Sequence, residues 1–118
     1  MAVKKLILGL VLSLLSIPAF AAGSWTGTIK YIYAHTSQGY GPNGMVLVVM
    51  NTNGTGVAPC GSANSAEFVI DGSTNAGQTA VALLVRSLSL GLSVNAAGTG
   101  SCTTDSAVEN LANTYISQ

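Results

Sequence analysis

His35 is the only histidine of the chain and the side chain best suited to acid–base chemistry. It ends an alternating segment that contains Tyr33, and Tyr40 follows in the next loop. A histidine there could act as a general base on a serine or threonine if a carboxylate oriented it. The sequence has no nucleophile elbow and no second histidine to support that role. We therefore expect no catalytic site, and a small hydrolase is the least supported alternative.

Glu67 and Asp71 are a second candidate pair, because glycosidases place two carboxyl groups across a sugar. On an extended strand these two residues share a face, with their side chains about 13 Å apart. Glycosidases need about 5–9.5 Å, so the pair does not suit that reaction. The sequence also lacks calcium, zinc and phosphate-loop motifs, and we expect neither a metal nor a cofactor. We predict that Glu67 and Asp71 both lie on the solvated surface.

The segment HTSQGYGPNG could bind a ligand without transforming it. It offers His35, Gln38, Tyr40 and Asn43 in a loop between two predicted strands. Aromatic rings give sugars a flat apolar partner, and amide groups hydrogen-bond to hydroxyls. The same residue types are common in plain solvent-exposed turns, so both interpretations stay open.

The start of the chain is typical of a secretory signal peptide. Lys4 and Lys5 precede the apolar stretch LILGLVLSLLSI, and small residues lead up to Ala21. As a helix that stretch spans about 18 Å, which is short of a bilayer core of about 30 Å. We predict a signal peptide over residues 1–21, cleavage after Ala21, and a periplasmic or secreted protein with no membrane insertion after cleavage.

Residues 22–118 suit a single domain and carry only two basic and four acidic side chains. So sparse a set of charges excludes the basic footprint of a protein that binds nucleic acid or an anionic membrane. The charged residues are Lys30, Glu67, Asp71, Arg86, Asp105 and Glu109.

Cys60 and Cys102 are the only two cysteines. An exported chain with an even number of cysteines most simply pairs them, so we predict one disulfide. Their spacing is too long for a CxxC redox site, and only His35 could add a nitrogen ligand for a metal.

Apolar and polar residues alternate along much of the chain, which predicts five strands. MVLVVMN does not alternate, so we expect it to be covered on both faces. NTNGTGVAPCGSANS is polar and glycine-rich and is predicted as a loop. The first strand should place Trp25, Gly27, Ile29, Tyr31 and Tyr33 on one face. The predicted strands are Ser24–His35, Met45–Asn51, Ala66–Asp71, Leu92–Cys102 and Val108–Gln118.

One helix is predicted within DGSTNAGQTAVALLVRSLSLG, between the third and fourth strands. Ser73, Thr74 or Asn75 can cap its first turn, and Gly91 can end it. The order strand, strand, strand, helix, strand, strand is that of an OB-fold, a five-stranded Greek-key barrel. A plain antiparallel sheet with one packed helix fits the same order, because periodicity does not determine closure.

The predicted helix is apolar round most of its circumference. A helix of this kind in a small domain either plugs one end of a curled sheet or meets another subunit. Leu83 and Leu90 extend the apolar stripe sideways, so we take them as candidate residues of a homo-oligomer interface. The stripe itself consists of Val81, Leu84, Val85 and Leu88.

Several short motifs occur together in this chain: SWTG, the cysteine ahead of the third strand, the glycine that ends the helix, LSVNAAGTGSC and the closing ENL segment. Together they resemble those of small exported bacterial OB-fold-like proteins. More distantly, the order resembles the B subunits of secreted toxins of the subtilase-cytotoxin and pertussis-like types, whose OB-folds form rings that bind cell-surface glycans. The resemblance implies an OB-fold, a disulfide and a ring with its helices at the centre. No glycan-contacting residue can be matched.

The sequence thus favours a non-catalytic binding module, oligomeric and directed at a cell-surface glycan or a protein. A structural or envelope-associated protein without a small ligand is the alternative.

Overall fold

Six strands and one helix make up the described part of the chain. The computed structural model describes residues 22–35, 44–60, 66–105 and 107–117. Five strands and the helix lie where the sequence predicts them, whereas β3 lies inside a segment predicted as loop and corrects that prediction. The elements are β1 (Ser24–His35), β2 (Met45–Met50), β3 (Thr55–Val57), β4 (Glu67–Asp71), α1 (Asn75–Leu90), β5 (Ser93–Gly98) and β6 (Glu109–Ile116).

The strands form one mixed sheet in the order β2-β4-β6-β5-β1-β3. Because β2 also pairs with β1, the strands β1, β2, β4, β6 and β5 are joined in a ring, and β3 lies beside β1. The pair β4–β6 is parallel and the other pairs are antiparallel. A parallel pair needs a long connection, which α1 and β5 supply.

The main core lies between α1 and the inward side of the ring. Phe68, Met50 and Leu84 are completely buried there, and each contributes about 1.5–3 kcal/mol by leaving water. Trp25 packs against this core, and its Nε1 donates a 3.0 Å hydrogen bond to the carbonyl oxygen of Asn51. The single tryptophan therefore fixes the start of β1 to the end of β2.

A second, smaller apolar cluster lies on the opposite face of β2 and β4. It is formed by Met45, Leu47, Val69 and Val108, all buried, with Ala107 packed against it. β2 therefore has apolar contacts on both faces, as its unbroken apolar sequence predicts.

The helix is capped at both ends by short-range hydrogen bonds. Thr74 is the N-cap, and its hydroxyl accepts from the backbone N–H of Gly77 at 2.9 Å. Gly91 ends the helix in the left-handed conformation, with φ 65°, as predicted. The backbone N–H of Gly91 donates to the carbonyl of Leu88, and that of Leu92 donates to Ser87.

The buried face of α1 is narrower than the predicted stripe. Leu84 is buried and Val81 packs against the core, but Val85 and Leu88 are exposed, which corrects the prediction for these two residues. Ser87 takes a buried position because its hydroxyl is satisfied by the carbonyl of Leu83 at 2.8 Å. A hydroxyl bonded within its own helix can be buried at little cost, and sequence periodicity does not show this.

The predicted disulfide between Cys60 and Cys102 is present, with the two Cα atoms 6.3 Å apart. It joins the segment after β3 to the segment between β5 and β6. In the loop-entropy treatment, closing a loop of this length restricts the unfolded chain by about 4 kcal/mol. Disulfides are typical of proteins outside the cytoplasm.

Candidate binding face

A β-bulge in β1 decides which of its side chains face outward. Ile29 pairs with Met50, but Tyr31 pairs with Val49, so Lys30 is an extra residue in β1. An extra residue reverses the faces of all residues beyond it. Ile32 therefore packs against the main core, while Tyr31 and the following alternate residues turn to the outer face.

The bulge corrects the predicted face assignment of β1. Trp25 and Ile29 do contact the core, whereas Tyr31 and Tyr33 are 47% and 37% exposed. They form a row of rings with His35, which follows them on the same face and is half-buried. We call Tyr31, Tyr33 and His35 the aromatic ladder.

The rings of the aromatic ladder lie next to one another along β1. The ring centroids of Tyr31 and Tyr33 are 5.9 Å apart and their planes are inclined by 44°. His35 meets Tyr33 edge to face, at a centroid distance of 5.3 Å. The Nζ of Lys30 lies 5.9 Å from the centre of the Tyr31 ring, within the range of a cation–π contact. Aromatic pairs at these distances stabilise one another and keep the ring surfaces in place.

Tyr33 is tied to a strand beyond its neighbour. Its hydroxyl donates a 2.6 Å hydrogen bond to Oε1 of Glu67 on β4, and β2 lies between the two strands. The Tyr33 side chain therefore crosses β2, where its backbone partner is Leu47. Burial raises the pKa of the Tyr33 phenol above its ordinary value of 10.0, and the hydrogen bond and charge of Glu67 raise it further.

The ladder rests on the second apolar cluster. Tyr33 pairs with Leu47, and Leu47 pairs with Val69, so these three residues form one row across the sheet. Tyr33 is the exposed end of the row, and Leu47 and Val69 are buried. His35 pairs with Met45 in the same way. Both Leu47 and Met45 are buried. The outer face thus combines rings open to solvent with a packed apolar support, which is a common composition for binding sites.

Asp71 does not cooperate with Glu67. Its Oδ1 accepts hydrogen bonds from the backbone N–H and the hydroxyl of Ser73, at 2.9 Å and 2.5 Å. These bonds lower the pKa of the Asp71 carboxyl below 3.8. Glu67 is bonded to a phenol instead. The two acids therefore have separate partners and do not form an acid–base pair.

Of the predicted ligand residues, His35 belongs to the aromatic ladder, while Gln38, Tyr40 and Asn43 lie outside the described residues. Of the predicted interface residues, Leu90 is exposed and Leu83 is half-buried. Sequence reasoning did not select Tyr31 or Glu67 for binding. The outward position of Tyr31 depends on the bulge at Lys30, and alternation alone cannot show an inserted residue.

Residues 22–35, 44–60, 66–105 and 107–117 contain no group of three or more His, Cys, Asp or Glu side chains that could hold a metal ion. Within the same ranges, no helix has the length and apolar character needed to cross a membrane.

Comparison with protein-family models, with curated proteins and with solved structures finds no match to this chain.

Proposed function

We propose that this protein is an exported, non-catalytic binding module that holds a sugar ring against the aromatic ladder. The observation that carries the proposal is the pair of exposed tyrosine rings, Tyr31 and Tyr33, with the Tyr33 hydroxyl fixed on Glu67 at 2.6 Å. Large aromatic rings exposed next to one another are uncommon on small domains without a partner.

The chemistry of this face suits an uncharged pyranose. The C–H side of a sugar ring packs on a flat aromatic ring, and its hydroxyls can donate to a carboxylate such as that of Glu67. Glu67 and Asp71 lie on the same face of β4, so an acidic sugar would meet like charge. A protein loop is the second ligand class, because exposed tyrosines are also frequent centres of protein interfaces.

The architecture we propose is an OB-fold. The ring order β1-β2-β4-β6-β5 and the helix between β4 and β5 support it. In OB-folds, ligands bind on the outer barrel face and the adjoining loops, and the aromatic ladder leads into the segment after His35. The predicted similarity to toxin B subunits stays a proposal of shared architecture.

We place the protein in the periplasm or outside the cell. The signal peptide predicted over residues 1–21 and the Cys60–Cys102 disulfide support this placement.

A homo-oligomer built on α1 is part of the same proposal. Leu90 is 55% exposed, and Val85 and Leu88 are exposed on the same helix. The helix carries Arg86 as its single charged side chain. An apolar, weakly charged surface of this kind is typical of subunit contacts.

A screen by saturation-transfer NMR tests the proposed ligand class. The oxidised, exported chain is mixed in turn with methyl β-galactoside, methyl β-glucoside and chitobiose, and with N-acetylneuraminic acid as the acidic comparison. Saturation of the uncharged sugars, and its loss in Tyr31→Ala, is the expected result. No transfer to any uncharged sugar would favour the alternative, a structural or envelope-associated protein without a small ligand.

A further inference from the structure

Glu109 is a completely buried carboxyl group that the proposed binding face does not use. It begins β6, and its two oxygens accept hydrogen bonds from two backbone amides. Gly23 donates to Oε2 and Cys60 donates to Oε1, each at 2.9 Å. One side chain thus joins the start of β1, the disulfide and the start of β6.

The space round the carboxyl group is shaped by two glycines. A Cβ atom on Gly98 would collide with Oε2 of Glu109, and a Cβ atom on Gly23 would collide with the backbone of Pro59. The backbone N–H of Gly98 also donates to the carbonyl of Gly23 at 2.8 Å. The carboxyl group is therefore enclosed by main chain and cannot easily turn toward solvent.

A buried carboxylate is costly unless a positive charge or several hydrogen bonds compensate for lost water. In the part of the chain that the structure describes, Glu109 has two backbone amides as partners. The two basic side chains of residues 22–118, Lys30 and Arg86, are both exposed and are not among those partners. The amides satisfy the oxygens, but they supply no full positive charge.

The backbone nitrogen of Ala22 lies near this carboxyl group. Its nitrogen is one residue ahead of the Gly23 nitrogen, and successive backbone nitrogens are at most about 3.7 Å apart. Since Gly23 N lies 2.9 Å from Oε2 of Glu109, the Ala22 nitrogen lies within about 7 Å of that oxygen. Ala22 itself is exposed, so a charged group there keeps part of its hydration.

We infer that removal of the signal peptide completes this site: the new α-ammonium group of Ala22 pairs with the buried Glu109 carboxylate and stabilises the processed fold. The inference rests on the cleavage after Ala21 that is part of the proposed function. Hydrolysis adds one water across the Ala21–Ala22 bond, leaving a carboxylate on Ala21 and an amine on Ala22. In the unprocessed chain, the same nitrogen is a neutral amide and offers no charge.

The pairing has a defined pH dependence. A free α-amino group has a pKa of about 7.7–8.0, and a carboxylate nearby raises it in the folded state. The contribution of the pair to the free energy of unfolding is therefore fully present below about pH 7.7. It is lost as the pH rises through the raised folded-state pKa of the amine. In the described part of the chain, Phe68 pairs with Glu109, Cys60 donates to it and Gly98 lies against it, and none of these three residues titrates in this range, because Cys60 is held in the disulfide.

Moving the ammonium group by one residue tests the inference. The exported chain is purified in its natural form and with one serine inserted between Ala21 and Ala22, and intact mass identifies each N-terminus. At pH about 6 the natural form should melt about 4–8 °C higher than the extended form. In a Glu109→Gln background the two forms should melt together. Equal melting temperatures with glutamate present, or an unchanged difference with glutamine, would overturn the inference.

A second measurement covers the case in which Glu109→Gln does not fold. NMR titration of the natural form reports the pKa of the Ala22 α-amino group directly, and a value clearly above about 8 is expected. A value at or below 8 would overturn the pairing. A purified chain that starts at another residue would overturn the predicted cleavage and this inference with it, while the sugar-binding proposal would stand, because its test does not depend on the N-terminus.

Discussion

The hydroxyl of Tyr33 lies 2.6 Å from Oε1 of Glu67, and a whole strand, β2, separates the two residues in the sheet. The bond fixes the hydroxyl end of one ring of the aromatic ladder on β4. An exposed tyrosine is otherwise free to change rotamer, and fixing it lowers the entropy lost when a ligand binds. The Tyr33–Glu67 bond therefore links the fold of the outer face to its proposed binding role.

The first prediction concerns the ionisation of Tyr33. Replacing Glu67 by glutamine removes a negative charge, so the pKa of the Tyr33 phenol should fall toward 10.0. Titration of tyrosine absorbance should show a transition at high pH that is absent in Tyr33→Phe and shifted to lower pH in Glu67→Gln. Folding raises the pKa of the Tyr33 phenol, so the stabilisation that this group contributes is fully present below about pH 10. That contribution declines as the pH rises toward the folded-state pKa. An unchanged transition in Glu67→Gln would contradict the bond.

The second prediction concerns the glycine beneath Glu109. Gly98→Ala should lower the free energy of unfolding by about 3 kcal/mol, because the new methyl group has to displace the enclosed carboxyl group. Gly91→Ala is the matched control. That site is open but has φ 65°, so only a strained backbone is expected, at a cost of about 1–2 kcal/mol. Urea denaturation measures both, and equal losses would argue against tight packing at Gly98.

The third prediction separates the two sides of α1. Leu84→Ala should cost about 2–5 kcal/mol of stability, since Leu84 is completely buried in the main core. Leu90→Lys should leave the monomer folded and dissociate the proposed oligomer, because Leu90 is exposed. Leu83→Lys should weaken both the assembly and the fold, since Leu83 is half-buried. Sedimentation of Leu90→Lys identical to that of the natural chain would count against the interface.

The fourth prediction concerns the disulfide. Replacing both Cys60 and Cys102 by serine should destabilise the fold by about 4 kcal/mol, because the unfolded chain regains its loop entropy. The free energy of unfolding lost through the two cysteine replacements should be larger when Glu109→Gln is also present than when Glu109 is intact. Glu109 accepts from the backbone of Cys60, so both changes loosen the same segment. If denaturant unfolding shows that the two losses of free energy simply add, the disulfide and Glu109 act independently.

The order of the elements could be read from the sequence because it depends on local pattern. Five strands and the helix lie where the local pattern predicts them, and Gly91 ends the helix as predicted. The Cys60–Cys102 pair was predicted from the even number of cysteines in an exported chain. The strand β3 was missed because it has three residues in a glycine-rich segment and pairs only with the start of β1. So short a strand has no detectable periodicity of its own.

The candidate site was harder to predict because it depends on contacts between distant residues. One inserted residue, Lys30, turns Tyr31 and Tyr33 from the predicted core face to the outer face. The sequence gives no sign of that insertion. Glu109 likewise has no local pattern that indicates burial, but partners far away in sequence enclose it. Such positions become apparent only when the strands are paired.

The central claim is that the aromatic ladder binds sugar, and one NMR titration tests it most directly. Methyl β-galactoside is titrated into the oxidised, exported chain and into two variants, Tyr31→Ala and Tyr115→Ala. Tyr115 is the matched control, because it is a tyrosine with 57% exposure that lies on β6. We predict that Tyr31→Ala weakens binding about tenfold and that Tyr115→Ala leaves it unchanged. Equal affinity in all three proteins, or binding lost only in Tyr115→Ala, would contradict the claim.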